Sequence, residues 1–172
     1  MDTSITSLLN NLVAVDQCLR KNKEFSISLM HKFDEMSTEI IKVLVHKFGL
    51  PTPENVGTEA AKNFIVLLIH TSDIKYASKL ARSRKFKEIN YNKTELAILI
   101  DRILMHEGKK QRFGTVIETK KDKSGRYVTK PLPIKDVKRV DKRRKESGLP
   151  PLADYLKSSE EIFKSVLANK PK

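Results

Sequence analysis

The sequence has only one cysteine, Cys18, among its 172 residues. A single thiol excludes an internal disulfide bond and any zinc site built from several cysteines. Because free cysteine is usually buried, Cys18 is predicted to be a small buried residue within a helix. The longest apolar run, residues 64–69, is far shorter than the ~20 residues of a membrane-spanning helix. The polar start lacks the basic leader of a signal peptide, so we expect a cytoplasmic protein.

The motifs that identify common enzyme classes are also missing. The sequence contains no His-Glu-x-x-His pair, no phosphate-binding loop and no Gly-x-Ser-x-Gly turn. His31, His46 and His106 lie on predicted helices without acidic or cysteine companions at metal-ligand spacing. The sequence therefore assigns no metal-binding residues and leaves the cofactor unknown.

Positive charge is concentrated in one stretch. Between Lys109 and Lys145 there are fifteen Lys or Arg and four Asp or Glu, a net charge of +11 out of +13 for the whole chain. One interpretation is a surface for nucleic acid or another acidic partner, with contacts from Lys138, Arg139 and Arg143. The other is an ordinary solvated surface. The few nearby aromatic residues offer little for base stacking.

Helical periodicity dominates the rest of the chain and predicts a mainly α fold. The apolar spacing indicates about seven helices, over 4–21, 25–48, 58–71, 72–87, 92–108, 134–146 and 152–167. The run 64–69 is also compatible with a buried strand, but the Glu-Ala-Ala-Lys that precedes it favours a helix. Alternation after residue 112 and a turn at 122–125 predict a β-hairpin over about 112–130. We expect a single domain over 1–168 and a disordered tail at 169–172.

The sequence also predicts which faces of two of these helices are buried. The second helix has an apolar stripe that is predicted to face the core: Leu29, Phe33, Met36, Ile40, Val43, Leu44 and Phe48. The fifth, central helix has apolar residues on nearly its whole circumference and is predicted to be buried all round. Asp101 and Arg102 interrupt it, and buried charges persist only when they are paired or functional.

Polar residues also interrupt apolar patterns elsewhere. Asp16 lies in the middle of the apolar stripe of the first helix, and Arg20 follows four residues later, where the two can pair. The alternative is an exposed surface ion pair. His70 closes the most apolar run and is either a functional group or a hydrogen-bonded core histidine. Asp73 is most simply a helix cap.

The segment after the central helix adds an amide, an arginine and a glycine at Gln111, Arg112 and Gly114. Glycine in a strand often marks a bulge or the close approach of a ligand. With Asp101 and Arg102, these residues form either part of a ligand site or a structural network that joins the helix to the hairpin.

These elements, in this order, resemble a family of uncharacterised bacterial proteins, a domain of unknown function. Its pattern has Asp-x-x-x-Arg, which Asp16 and Arg20 match, then His-x-x-Asp, and then Asp-Arg followed by Gly-x-x-Gln-Arg-Tyr-Gly-Thr-Gln. The resemblance extends from about residue 15 to residue 156. This chain has Phe113 and Val116 where the pattern has tyrosine and the final glutamine. The resemblance implies a shared site without naming a substrate.

Three functions remain open from the sequence. In the first, a buried polar pocket binds or transforms a small anionic ligand by acid–base chemistry, without a covalent intermediate. Its catalytic residues are His70, Asp101 and Asp16, and its ligand-binding residues are Arg20, Arg102, Gln111 and Arg112. In the second, the basic stretch 109–145 binds nucleic acid or an acidic partner. The third is a structural or immunity-type partner protein.

Overall fold

The computed structural model describes residues 3–22 and 25–168, which are mainly α-helical with one antiparallel hairpin, as the sequence predicts. The chain divides into two compact units, Met1–Leu99 and Ile100–Lys172, and each is described by itself. The single domain over 1–168 stays a prediction, and the predicted tail at 169–172 lies outside the described residues. In the described ranges, no helix combines the length and apolar character that crossing a bilayer requires.

The first unit is built around three long helices. Helices α1 and α2 pack against each other and against α4, and shorter helices complete the unit. In chain order the helices are α1 (Thr3–Lys21), α2 (Ile27–Phe48), α3 (Pro53–Val56), α4 (Thr58–His70), α5 (Ile74–Arg82), α6 (Arg84–Glu88) and α7 (Lys93–His106), of which α7 continues into the second unit.

Helix α4 forms the centre of the first unit. The apolar run that was compatible with either helix or strand is helical, and Phe64, Ile65 and Leu68 are all 0% exposed. Two differences from the sequence prediction lie nearby. Thr52 and Asn55 form a capping box that starts the short α3 in a predicted loop. Ser83 divides the predicted helix 72–87 by capping α6 through the Phe86 N–H.

The predicted burial of the apolar stripe of α2 is correct on one side of the stripe and wrong on the other. Phe33 and Leu44 are buried as predicted, but Leu29, Met36 and Val43 are about half exposed. The buried side of α2 instead includes Ser37 and Thr38 beside Ile41. The buried face is therefore rotated away from the most apolar face. The hydroxyls that take this place are hydrogen-bonded, which allows their burial.

Two other burial predictions were also wrong. Cys18 is helical, but it is exposed and not buried. Helix α7 is not buried all round, because Arg102 is exposed while Leu99, Asp101 and Ile103 are buried. Arg102 and His106 are four residues apart and both exposed, so one side of α7 faces solvent.

The second unit joins the end of α7 to a hairpin and two further helices. Strands β1 (Ile117–Lys121) and β2 (Tyr127–Pro131) pair with Thr119 opposite Thr129, and α9 packs on both. A 3₁₀ turn at Val137–Arg139 leads into α8 (Val140–Glu146), and α9 spans Leu152–Ala168. The hairpin begins at residue 117 and not at 112. Residues 112–116 form a loop because their N–H groups are bound by side chains.

Candidate functional site

The candidate site in the first unit is centred on Asp16, whose carboxylate is 1% exposed. The penultimate turn of α1 carries this carboxylate, which contacts His70 at the end of α4. It accepts hydrogen bonds from Arg20 Nε at 2.8 Å and from Gln17 Nε2 at 3.0 Å. The alternative of an exposed surface pair therefore does not describe Asp16. Its charge is buried and satisfied by neighbouring donors.

His70 contacts the same carboxylate from the C-terminal end of α4. Its Nδ1 lies 3.0 Å from Asp16 Oδ1 and 2.9 Å from Oδ2. An ionised carboxylate can only accept hydrogen bonds, so we assign a proton to Nδ1, and the lone pair of the neutral ring is then on Nε2. Arg20 Nε also lies 3.0 Å from His70 Nδ1. Both atoms carry N–H groups directed at Asp16, so this distance is a close approach of two donors.

Arg20 connects Asp16 to a second acidic residue, Asp34 of α2. Its Nη2 forms an ion pair with Asp34 Oδ1, whose side chain is 14% exposed. The sequence predicts Arg20 as a clamp for an anionic ligand. In the structure two carboxylates already bind this guanidinium, which neutralises most of its attraction for a further anion.

The pKa of Asp16 lies below its usual value. Burial, the largest single influence, favours the neutral acid and raises the pKa. The hydrogen bonds and charges of His70 and Arg20 favour the carboxylate, and together they outweigh burial. Asp16 is therefore ionised at neutral pH and can stabilise positive charge on the ring of His70.

A hydroxyl cluster holds the chain that follows His70 against α2. Thr38 donates to the backbone oxygen of Asp34, so Thr71, 2.9 Å away, must donate to Thr38. Thr38 Oγ1 also accepts the N–H of Ser72 at 3.1 Å. Thr38 is 2% exposed and Thr71 is 3% exposed. This buried cluster fixes the end of α4 and thereby the position of His70.

The next turn of α2 adds Lys42, which contacts the start of α5. Its Nζ lies 3.0 Å from Asp73 Oδ2 and 2.8 Å from Glu39 Oε1. Asp73 also caps α5 through the Tyr76 N–H, as predicted, and this hydrogen bond followed by Lys42 lowers the pKa of Asp73. The sequence prediction missed Asp34, Thr38 and Lys42. Their spacing of four residues places them on one face of α2, and this was the available signal.

In the second unit, Asp101 binds the loop that follows α7. Its 0% exposed side chain accepts the N–H groups of Arg112 at 2.7 Å, of Phe113 at 3.1 Å and of Thr115 at 3.0 Å. The hydroxyl of Thr115 donates a further hydrogen bond at 3.0 Å. These four donors satisfy the buried charge of Asp101, and together they form a structural network. Asp101 is predicted from the sequence as an acid or base, and its contacts instead describe a loop anchor.

Gln111 and Arg144 fix the same loop from other directions. Both side chains are 0% exposed. The Gln111 amide donates to the carbonyls of Val116 and Leu132 and accepts the Val116 N–H. Arg144 donates to the carbonyls of Phe113 and Pro150 at 2.7 and 2.6 Å, and its guanidinium stacks on the ring of Tyr155. Burial lowers the pKa of Arg144, although Tyr155, Asp141 and Asp101 oppose this effect.

Gly114 is required by the geometry of this loop. Its φ is +71°, and a Cβ atom there would lie 2.6 Å from Ile134 Cδ1. The glycine therefore allows a positive φ and the close approach of a protein side chain. The alternating pattern predicts a strand at Gly114, where the structure has a loop.

The other predicted arginines of the second unit differ in exposure. Arg102 and Arg112 are both exposed, and the Arg112 guanidinium lies 5.5 Å from the centre of the Phe113 ring. Arg143, predicted to contact nucleic acid, is 18% exposed. Its guanidinium donates to the carbonyls of Arg112, Lys135 and Asp136. Much of its hydrogen-bonding capacity therefore serves the fold.

The predicted site residues thus form two groups, each within one unit. Asp16, Arg20 and His70 contact one another in the first unit, while in the second Asp101 binds the backbone of Arg112 and Gln111 binds Val116 of the same loop. Among the residues that the structure describes, no three His, Cys, Asp or Glu side chains form a group that could hold a metal ion. The cation between Asp16 and Asp34 is the guanidinium of Arg20.

Comparison with known proteins supports the resemblance at the level of the family. No curated protein and no solved structure matches the chain. A family model, described as a family of unknown function (DUF6624), matches residues 19–167. This range includes Arg20, His70 and Asp101 and begins just after Asp16. The model covers most of the sequence, and the chain therefore belongs to this family of unknown function, DUF6624.

Proposed function

We propose that the protein binds a small polar molecule beside His70 and transfers a proton to or from it. His70 is the acid–base group and Asp16 is its buried partner. The observation that carries the proposal is the contact of His70 Nδ1 with both oxygens of Asp16, at 2.9 and 3.0 Å. The carboxylate is 1% exposed, whereas the ring is 22% exposed. Solvent and ligand can therefore reach the ring but not its partner.

The chemistry follows from the assigned tautomer. With the Nδ1 proton directed at Asp16, the lone pair on Nε2 can take a proton from a ligand, and the resulting cation is stabilised by the carboxylate. Arg20 is a positioning residue, since its hydrogen bond to Asp16 orients the carboxylate and keeps it ionised. The hydroxyl cluster of Thr38, Thr71 and Ser72 keeps the end of α4 in place.

The preference for an anionic ligand, predicted from the sequence, has less support at this site. With a neutral ring, the side chains of Asp16, Arg20, Asp34 and His70 together carry a net charge of −1. An anionic group is attracted only after the ring has gained its second proton. The proposal is therefore a polar ligand with a transferable proton, and an anion binds only to the protonated site.

The test uses diethyl pyrocarbonate, which acylates the neutral imidazole nitrogen. Mass spectrometry would follow the modification rate of each of the four histidines in the full chain at neutral pH. His31, His46 and His106 are all exposed, and His70 is only partly so. We expect His70 to react at least as fast as these three, since the Asp16 carboxylate makes its Nε2 a better nucleophile.

The matched variants are Asp16→Asn and Glu59→Gln, the latter at an exposed carboxylate on α4. Asp16→Asn should slow modification of His70 by about tenfold, which corresponds to about 1.4 kcal/mol of lost charge interaction between Asp16 and the ring, and Glu59→Gln should leave it unchanged. Equal rates in wild type and Asp16→Asn would show that the carboxylate does not activate the ring, and the proposal would fail. Far-UV circular dichroism controls for folding.

The basic stretch 109–145 supports a second candidate function, binding of nucleic acid. The observation in its favour is the exposure of Lys138 and of the Arg139 guanidinium, although Asp136 pairs with Arg139 at 2.9 Å. Arg143 contributes less, because it is bound to backbone carbonyls. This candidate requires retention on DNA or RNA at low salt that weakens as salt rises. Absence of retention at low salt rules it out.

A further inference from the structure

Helix α2 has an apolar face that the protein leaves uncovered. Leu29, Met36 and Val43 are 42%, 50% and 53% exposed, and Ile40 is half-buried. At about 100° per residue these four side chains lie within an arc of about 60°. We call this row of Leu29, Met36, Ile40 and Val43 the α2 face.

The composition and spacing of the α2 face are those of a helix-packing surface. Three of its residues recur every seven positions, as in the contact row of a coiled coil. Single exposed apolar residues are common, but a contiguous row marks an interaction site. Of the ten large apolar side chains that are exposed in the described part of the chain, five lie on α2.

We propose that the α2 face binds the α2 face of a second copy of this chain. The two helices run antiparallel, and the twofold axis passes beside Met36. In this arrangement Leu29 of one copy lies near Val43 of the other, and the two Met36 side chains meet at the axis. Such an interface is closed by its own symmetry and leaves no apolar row exposed.

The charges beside the α2 face select this arrangement. Lys32 and Glu39 are both exposed and lie on the same flank of the row, four residues before Met36 and three residues after it. The twofold axis therefore brings Lys32 of each copy beside Glu39 of the other, which gives two attractive pairs. In a parallel pair the corresponding flanks of the two helices would lie on opposite sides of the interface, so Lys32 and Glu39 would not meet and neither pair would form.

The existing contact of Glu39 does not prevent this pairing. Glu39 lies 2.8 Å from Lys42, but its side chain is 70% exposed. Exposed pairs of this kind contribute little to stability, so the carboxylate can be shared with Lys32 of the second copy. Thr38, which belongs to the candidate site, lies about 180° around α2 from Leu29. Pairing through the α2 face is thus independent of the proposed acid–base function.

The first experiment measures the dissociation constant of the full chain by sedimentation equilibrium at micromolar concentrations. We expect a reversible dimer. Met36→Glu places two carboxylates together at the axis and should raise the dissociation constant by about 100-fold, since like charges across an interface cost several kcal/mol. Lys85→Glu, an exposed charge reversal on α6, is the control and should remain dimeric. A monomeric wild type overturns the proposal.

The second experiment exchanges the charges. Lys32→Glu and Glu39→Lys should each be monomeric, because each makes both cross pairs repulsive. A mixture of the two variants should form a heterodimer, because each cross pair then joins a Lys of one chain to a Glu of the other. Formation of the heterodimer also shows that both variants are folded. Dimerisation of either variant alone, or failure of the mixture to associate, overturns the proposed arrangement.

Discussion

Asp101 in the second unit and Asp16 in the first are both buried carboxylates on helices, 0% and 1% exposed, but their hydrogen-bond donors differ. Asp101 is bound by three backbone N–H groups and the Thr115 hydroxyl. Asp16 is bound by the side chains of Arg20, His70 and Gln17. A carboxylate bound to backbone determines the path of a loop, whereas one bound to a partly exposed histidine influences a group that ligands can reach.

The surroundings of the two carboxylates extend this difference. Near Asp101, the buried side chains of Gln111 and Arg144 bind backbone carbonyls. Near Asp16, His70 and Arg20 are 22% and 30% exposed. Polar residues therefore bind backbone carbonyls in the second unit, whereas His70 and Arg20 in the first unit bind side chains and remain partly exposed. Substitutions at the two carboxylates should differ accordingly.

The largest effect is expected for Asp101→Asn. The amide keeps one acceptor oxygen but turns an NH₂ group toward backbone donors that need an acceptor. Loss of charge-assisted hydrogen bonds with buried donors left unsatisfied should cost about 3–5 kcal/mol. Hydrogen exchange at the Phe113 and Thr115 amides measures the result directly. Protection of these amides should fall sharply, whereas unchanged protection would contradict the anchoring role.

The control for this variant is Asp154→Asn, at an exposed carboxylate in the first turn of α9. It makes the same chemical change where water replaces the lost interactions. The expected effect is below about 1 kcal/mol, the size of a helix-terminus charge interaction.

The second effect in size is expected for Arg144→Met. The substitution keeps an unbranched apolar side chain but removes the donors to the Phe113 and Pro150 carbonyls and the stacking on Tyr155. Loss of the donors to these carbonyls, of which that of Phe113 is buried, should lower the free energy of unfolding by about 2–4 kcal/mol. Urea denaturation measures the loss. Arg139→Met, at a guanidinium that is 77% exposed, should change stability by less than about 0.5 kcal/mol.

The sequence predicted the fold class and most helices because periodicity reports which residues are apolar at regular intervals. It predicted α4 and the hairpin, but it began the hairpin at about residue 112, and the alternating residues 112–116 lie in a loop before β1. That loop depends on contacts between Asp101 and amides eleven to fourteen residues later. Local sequence patterns carry no information about such distant contacts. For the same reason, the sequence wrongly predicts that Arg102 is buried.

For the site, the sequence identified the interrupting charges but not their partners. Asp16, Arg20 and His70 stood out because each departs from an apolar pattern, and the structure places them together. Asp34 and Thr38 did not stand out, because polar residues on a long amphipathic helix are ordinary. The roles also depend on exposure. Asp101 and Asp16 look alike in sequence, and only the identity of their donors separates an anchor from a partner for histidine.

The smallest of these effects is expected for Asp16→Asn, and it depends on pH. The pKa of Asp16 is lower in the folded protein, so its ionisation stabilises the fold above the unfolded pKa of about 3.9. This stability is lost as pH falls through the folded pKa. Asp16→Asn should therefore cost about 1–2 kcal/mol at pH 7, and the cost should shrink as the pH falls below the unfolded pKa and the wild-type carboxyl takes up its proton. Urea midpoints of both proteins, measured in steps from pH 7 into the acid range, follow this convergence. A constant difference would mean that the lost interaction is packing and not charge, and it would contradict the electrostatic role of Asp16.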